Sequence, residues 1–236
     1  MTEALLRAGA TTVLVNVDQQ PLDEARAKYH KEGLDAHSFA CDLTNSTQLD
    51  ALVDYVESTH GRADVLVNCA GVTTQHDSHD YPDELWSATL SLNLEAPFQL
   101  SKRIARLMIA QGGGSMIHIT SINAEQRFAF NPAYQASKGG LRSLSKSLAN
   151  DLGPHGIRSN TVGPGYFETS MHAGRLNDPE GVKARVARTM LGRIGQPAEL
   201  AGIVVLRASD AAALHHRPGD LCRRRLAGTG VLVCIM

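Results

Sequence analysis

Val65-Leu-Val-Asn-Cys-Ala-Gly71 is the stretch that decides the fold, because a short apolar run ends there in a polar residue and then in small residues. An apolar run of this length is typical of a strand that is buried on both faces of a sheet. The pattern recurs at Val13–Val17, Ser115–Thr120 and Ile157–Val162, and longer amphipathic segments separate the runs. Strands alternating with helices predict βαβ units and an α/β fold, a doubly wound parallel sheet covered by helices on both faces.

Helices are predicted between these strands from the spacing of their apolar residues. A segment from Thr44 or Ser46 to Thr59 carries its apolar residues on one stripe. Pro82–Gln111 is predicted to be mostly helical with a break near Glu95–Pro97, because a residue that precedes proline disfavours helix. The other predicted elements are a strand at Ala36–Ala40 and helices at Pro21–Glu32, Ala133–Leu152 and Ala198–Ala208.

Composition excludes several classes of protein. The chain has 236 residues, of which 43% are hydrophobic, so it can bury the core of a single domain and is not disordered. It has no apolar run of membrane-spanning length and no secretory signal pattern, and a net charge of −1 gives no general attraction to nucleic acid. The four cysteines and ten histidines have no metal-ligand spacing, which predicts reduced thiols, a cytoplasmic protein and no metal site.

Tyr134-Gln-Ala-Ser-Lys138 is the sharpest chemical pattern in the chain. On a helix the phenol and the ammonium group lie one turn apart, and a nearby cation would lower the pKa of the tyrosine towards working pH. Such a pair is common on helix surfaces and alone indicates little. Here Ser121 closes a preceding strand and Asn93 lies in a helical segment, and parallel sheets place their sites at the carboxyl ends of their strands.

With these residues in place, the chain from about Ala4 to Ala213 resembles the short-chain dehydrogenase/reductase family. The resemblance implies that Tyr134 is the general acid and base, and that Lys138 lowers its pKa and holds the nicotinamide ribose. It implies that Ser121 polarises the substrate oxygen and that Asn93 holds a water that links Lys138 to solvent.

The resemblance also implies contacts with a dinucleotide. Cys69 replaces the second asparagine of the family's Asn-Asn-Ala-Gly motif, and Tyr166–Arg193 resembles the substrate loop, with an ordinary surface excursion as the alternative. Besides Tyr134 and Lys138, the implied cofactor contacts are Asp42 and Leu43 on the adenine, Asn68, Ala70 and Gly71 on the adenosine side, and Pro164, Gly165 and Thr169 at the nicotinamide.

The choice between NAD and NADP is weakly marked. Aligned with the family, Asn16 stands where NAD-dependent members place an aspartate that binds the ribose 2′-hydroxyl, and Asp18 follows two residues later. Neither an aspartate at the usual position nor an adjacent arginine or lysine is present. Both cofactors stay open, with a slight preference for NAD.

The amino-terminal end departs from the family. Members begin with a strand, a Gly-x-x-x-Gly-x-Gly turn and a helix, and the turn lets the backbone approach the pyrophosphate. Met1–Gly9 resembles only the later part of that helix. We therefore expect a truncated domain that lacks the first, central strand and its turn. Val13–Val17 and Val65–Asn68 would then lose their shared partner, at a cost of about 1–3 kcal/mol for each unsatisfied backbone group.

The carboxyl-terminal end departs as well. Residues 207–236 carry five arginines and two aspartates, so they hold a charge of +3 while the rest holds −4. Read back through the genetic code and shifted by one base, His215–Leu226 can encode Ile-Thr-Gly-Gln-Val-Ile-Tyr-Val-Asp-Gly-Gly-Trp, which is like the family's last strand. We therefore predict a domain over residues 1–213 that also lacks its last strand, and an out-of-frame tail over 214–236. The alternative is a natural basic tail that binds nucleic acid or membrane.

The resemblance implies an oxidoreductase that transfers hydride between NAD or NADP and a secondary alcohol or ketone. Gly71–Glu199 is most similar to sugar-acid dehydrogenases of the gluconate type, and 3-oxoacyl-carrier-protein reductases are the alternative. A non-catalytic, truncated family member is a further alternative, because the phosphate turn is missing. The expected partners are a small-molecule substrate and further copies of the chain in a homo-dimer or homo-tetramer, without nucleic acid or membrane.

Overall fold

The computed structural model describes residues 1–169, 178–215 and 230–235, over which strands and helices alternate. The strands are β1 (Thr11–Asn16), β2 (Ala36–Ala40), β3 (Val65–Asn68), β4 (Gly114–Ile119), β5 (Ile157–Val162) and β6 (Val231–Ile235). The helices are α1 (Thr2–Arg7), α2 (Gln19–Lys31), α3 (Ser46–His60), α4 (Asp83–Leu90), α5 (Ala96–Ala110), α6 (Pro132–Leu152), α7 (Pro179–Val186) and α8 (Ala201–Ala208).

All six strands form one parallel sheet in the order β2-β1-β6-β3-β4-β5. The order runs outward in one direction from β1 to β2 and in the other from β3 to β5, so the sheet is doubly wound as predicted. Such a sheet brings the carboxyl ends of β1, β3, β4 and β5 to one edge, and the polar residues that the sequence singles out follow these strands.

The central position of the sheet is occupied, which corrects one expectation. Val231–Ile235 lies between β1 and β3 and pairs in parallel with both, with Val233 opposite Val13 and Leu66. The expectation that β1 and β3 lose their shared partner is therefore wrong. The physical reason is that a five-residue apolar run in the tail supplies backbone hydrogen bonds to both neighbours, and its side chains are at most 5% exposed.

The tail therefore contributes at least one strand to the domain. The division of the chain at residue 213 and the frame-shifted origin of 214–236 stay predictions, and residues 216–229 lie outside the described residues. Within the described ranges, β5 is an edge strand of the sheet, and no further strand pairs with it there.

Helices cover both faces of the sheet, because alternate strand residues point to opposite sides. On one side, Val13, Leu66 and Met116 pack with Leu52 of α3 and Ile104 of α5. The other side is covered mainly by α1, α2 and α8. Its apolar residues are Leu5, Val65, Val67, Ile117, Val204 and Leu232 in one cluster and Leu6, Leu14, Leu22 and Tyr29 in a second.

The predicted interruption of the long helical segment is confirmed. A π-helical turn at Ser91–Glu95 separates α4 from α5, and α5 begins at Ala96 with Pro97 in its first turn. A π-turn widens the helix by one residue and is frequent at functional sites. This one carries Asn93, whose side chain is 0% exposed.

The described part of the chain has neither a membrane-spanning helix nor a metal-binding group of side chains. None of its helices is long and apolar enough to cross a membrane. None of its groups of histidine, cysteine, aspartate and glutamate side chains could hold a metal ion.

We predict that Val233→Asp unfolds the domain or lowers its free energy of unfolding by about 4 kcal/mol or more, because the carboxylate would be buried without a partner in the middle of the sheet. Val17→Asp is the matched control, since Val17 is 62% exposed, and should change the stability by at most about 0.5 kcal/mol. Urea denaturation followed by circular dichroism measures both. Equal stability of the two variants would mean that β6 does not occupy the central position.

Candidate active site

Ser121 lies directly beyond the carboxyl end of β4. The backbone is tied to β5 there, because Thr120 N donates to Val162 O over 2.8 Å. Ser121 then caps a short 3₁₀ turn at Ile122–Ala124, where its Oγ accepts a hydrogen bond from Asn123 N over 3.2 Å. Its position at the sheet edge is therefore fixed by backbone contacts on both sides.

Tyr134 and Lys138 lie one turn apart on α6, as their spacing predicts. The Lys138 side chain is buried, and its Nζ donates to Ile119 O at the end of β4 over 2.9 Å. The same Nζ is 5.7 Å from the centroid of the Tyr134 ring. On the other side, the Ser121 hydroxyl lies close enough to the Tyr134 phenol to lower its pKa. The serine, tyrosine and lysine therefore form one cluster.

Asn93 reaches the same cluster from the π-turn. Its Nδ2 donates to Val72 O over 2.8 Å and to Ser137 Oγ over 3.1 Å, and its Oδ1 accepts from Val72 N over 2.8 Å. A Cβ on Gly71 would lie 3.0 Å from Asn93 Oδ1 and 3.3 Å from Lys138 Nζ. Asn93 and Lys138 thus contact the same glycine, and a side chain at this position would separate them.

Burial sets the ionisation of the two titratable residues. Removal of Lys138 from water lowers its pKa to about 8. Burial also raises the pKa of Tyr134 above its ordinary value, although the nearby Ser121 hydroxyl opposes this effect. Desolvation of the phenol is therefore the larger effect in this structure, and the lowering of its pKa by Lys138 stays a prediction.

The predicted adenosine residues converge on a narrow cleft. Leu43, Asn68 and Ala70 line it, and Gly71 continues the same loop. Asp42 is directed elsewhere, because its Oδ1 accepts hydrogen bonds from Thr44 N and Thr44 Oγ1. The remaining residues around the cleft are Leu92, Ala96, Pro97 and Ile235.

The other predicted cofactor residues lie at neighbouring strand ends. Asn16 ends β1, and its Oδ1 accepts from Asp18 N over 3.2 Å, while Asp18 precedes α2 with an exposed side chain. Pro164 and Gly165 follow β5, and Ile122 N donates to Pro164 O over 3.0 Å, which joins this segment to the turn beside Ser121. Thr169 is exposed further along the segment.

Sequence reasoning missed two residues beside the site. His118 is 0% exposed in β4, its Nδ1 accepts from Asn68 Nδ2 over 3.1 Å, and burial lowers its pKa to about 4. Asn68 Nδ2 also donates to Ser101 Oγ over 3.2 Å, so the cleft residue Asn68 is anchored from behind. The sequence signal that could have identified His118 is a histidine within an otherwise apolar strand. Ile235 was missed because the tail had been interpreted as out of frame.

Comparison with known proteins fits this geometry. The family profile described as "Enoyl-(Acyl carrier protein) reductase" matches residues 1–215. The chain belongs to the short-chain dehydrogenase/reductase family. The family match ends before β6 begins, so the strand in the centre of the sheet lies outside the matched region.

The relatives include family members named for gluconate chemistry. The chain is 30% identical over 212 residues to the 5-keto-D-gluconate 5-reductase of Escherichia coli, covering 90% of this chain and 84% of that protein. It is 33% identical over 216 residues to the gluconate 5-dehydrogenase of Gluconobacter oxydans, covering 90% and 83%. The solved gluconate 5-dehydrogenase of Burkholderia cenocepacia, in complex with NADP and tartrate, superposes with a TM-score of 0.87 at 29% identity, covering 99% of this chain and 86% of that one.

We predict that Lys138→Met removes the increase in the free energy of unfolding that the wild type shows as the pH rises above about 8. In the wild type the folded lysine releases its proton near pH 8 and the unfolded lysine near its ordinary value, so the cost of burying the charge disappears as the pH rises between these values. The free energy of unfolding of the wild type, measured relative to Lys138→Met, should rise on the order of 2–3 kcal/mol from pH 7.5 to 10.5. Lys146→Met, on the exposed side of α6, is the control and should follow the wild type. Parallel curves for all three proteins would contradict the burial of a charge at Lys138.

Proposed function

We propose that the protein is an NAD(P)-dependent oxidoreductase that transfers hydride between a nicotinamide and a secondary alcohol or ketone, with a sugar acid of the gluconate type as its substrate. The observation that carries the proposal is the convergence of Ser121, at the end of β4, with Tyr134 and Lys138 of α6, whose Nζ lies 5.7 Å from the centroid of the Tyr134 ring and donates to Ile119 O. The names of the gluconate-acting relatives support the choice of substrate.

The residues present fit a dinucleotide over part of its length. The cleft lined by Asn68, Ala70 and Ile235 is closely packed and would have to widen to take the adenosine end, and the bare backbone of Gly71, beside Asn93 and Lys138, lies at the other end. No glycine-rich turn for the diphosphate lies among the described residues. When bound, the nicotinamide would accept or supply the hydride.

The chain's own residues would handle the proton and the substrate oxygen. In reduction, Ser121 Oγ donates a hydrogen bond to the substrate oxygen, and Tyr134 gives it the proton as hydride reaches the carbon. In oxidation, Tyr134 takes that proton from the hydroxyl. The raised pKa of Tyr134 keeps its phenol protonated at neutral pH, so reduction is favoured there and oxidation should accelerate as the pH rises.

The choice between NAD and NADP is a separate part of the proposal. The exposed carboxylate of Asp18, just beyond β1, would accept a hydrogen bond from a ribose hydroxyl and repel a 2′-phosphate, which supports NAD. Two solved relatives carry bound NADP, which supports the other cofactor. A cytoplasmic location is also part of the proposal, supported by the free thiols of Cys41, Cys69 and Cys234.

We predict that Tyr134→Phe abolishes turnover of 5-keto-D-gluconate while leaving cofactor affinity within about twofold, because the ring is kept and only the proton carrier is lost. NADH and NADPH fluorescence titrations measure binding, and cofactor absorbance measures turnover. Tyr55→Phe is the control, since Tyr55 packs against Phe39 away from the site. Turnover that survives Tyr134→Phe would remove this residue from its role, and a wild type that binds neither cofactor would favour the non-catalytic alternative.

We also propose that the protein associates with further copies of itself, as a homo-dimer or a homo-tetramer. The α5 helix exposes Phe98 and Ile109, which are 39% and 40% accessible, on the side away from the sheet. We infer that this part of α5 contributes to an interface between copies of the chain.

We therefore predict a solution mass of two or four times the 25.3 kDa of the chain, measured by light scattering after gel filtration. Phe98→Glu should shift the mass towards the monomer, because a charge would be buried in the interface. Leu206→Glu, on α8 and 40% exposed, is the control and should leave the mass unchanged. A monomeric wild type would contradict the prediction.

A further inference from the structure

Two aromatic rings form a wall beside the proton-handling residues. The Phe128 and Tyr166 rings meet edge to face, with their centroids 6.5 Å apart. Gln135, the neighbour of Tyr134, fixes Phe128, because its Nε2 donates to Phe128 O over 2.6 Å and its Oε1 accepts from Phe128 N over 3.1 Å. One side of the wall is thus attached to the helical turn that carries Tyr134.

The other side of the wall is attached to the turn that carries Ser121. Tyr166 follows Pro164 and Gly165, and the Pro164 carbonyl accepts the hydrogen bond from Ile122 N, one residue beyond Ser121. The backbone of Tyr166 is held further by Gly195, whose N donates to Tyr166 O over 2.9 Å. A substrate whose hydroxyl touches Ser121 and Tyr134 would therefore extend along these two rings.

Arg188 lies over this wall. Its guanidinium carbon is 5.9 Å from the centroid of the Phe128 ring, and its backbone N donates to Arg185 O just beyond α7. Within the described ranges, Arg142 pairs with Glu125 and Arg193 pairs with Glu199, whereas Arg188 has no carboxylate within ion-pair distance. A guanidinium that is held only by an aromatic face stays available for a stronger, bidentate partner.

We propose that Arg188 binds the carboxylate of the sugar acid and so determines the preference for acidic over neutral substrates. The inference rests on the proposed function and assigns the substrate's charged group to one residue. In a gluconate-type substrate the carboxylate lies at the far end of the carbon chain from the reacting hydroxyl. Phe128, which is hydrogen-bonded to the neighbour of Tyr134, holds the guanidinium beside the two rings, and the planar guanidinium matches a carboxylate with two parallel hydrogen bonds.

The test is a binding measurement that does not need turnover. Isothermal titration of the full chain with gluconate, in the presence of NADPH and in its absence, compares wild type, Arg188→Met and Arg188→Lys, with the neutral polyol glucitol as the second ligand. Arg188→Met should weaken gluconate binding about tenfold or more and leave glucitol binding within twofold. Arg188→Lys should give an intermediate loss, because the charge remains and the second hydrogen bond does not.

Arg127→Met is the matched control, because Arg127 is the neighbour of Phe128 and donates to Glu125 O over 2.8 Å. It should bind gluconate like the wild type. The proposal is overturned if the wild type binds gluconate no better than glucitol, if Arg188→Met weakens both ligands equally, or if Arg127→Met alone causes the loss. Hydride transfer from NADPH is measured separately, so a chain that binds gluconate through Arg188 without turnover contradicts the proposed reaction and supports this site.

Discussion

The pairing of β6 with both β1 and β3 is the interaction on which the rest of the structure depends. A parallel sheet needs every inner strand to satisfy backbone groups on two edges, and this strand satisfies β1 on one side and β3 on the other. Without it the β2–β1 pair would be separated from β3, β4 and β5, and Ser121 of the candidate active site follows β4. The cleft would also lose one wall, since Ile235 lies opposite Asn68 at the carboxyl edge.

Desolvation is the second constraint, and it follows from that packing. Lys138, His118 and Asn68 lie where the sheet meets α5 and α6, and each is at most 4% exposed. Burial is the main cause that lowers the pKa of the lysine to about 8 and that of the histidine to about 4, so at neutral pH the lysine keeps most of its charge and the histidine is neutral. The hydrogen bonds from Lys138 to Ile119 O and from Asn68 to His118 and Ser101 supply the polar partners that burial demands.

The parts of the fold that could be predicted from the sequence are those with a strong local signal. Ile157–Val162 is a strand over the predicted range, and the proline at 97 marked the interruption that became the π-turn. The spacing of Tyr134 and Lys138 placed them on one helix turn, and Ser121 was placed at a strand end. The position of Val231–Ile235 could not be predicted, because parallel pairing between segments so distant in the chain leaves no local pattern. The spacing of Tyr134 and Lys138 indicates a neighbouring charge but not burial, which raises the pKa of the phenol in this structure.

The central strand is also the one that comes last in the chain among the six. Thr11 pairs with Val231, so two neighbouring strands in the middle of the sheet are among the most distant segments in the sequence. Contacts of such long range slow folding, because a large loop must close before they form. During synthesis, β1 and β3 would leave the ribosome with open inner edges and stay exposed until β6 emerged. Until then those edges are open to pairing with other chains, which makes the late arrival of β6 the step that closes the sheet.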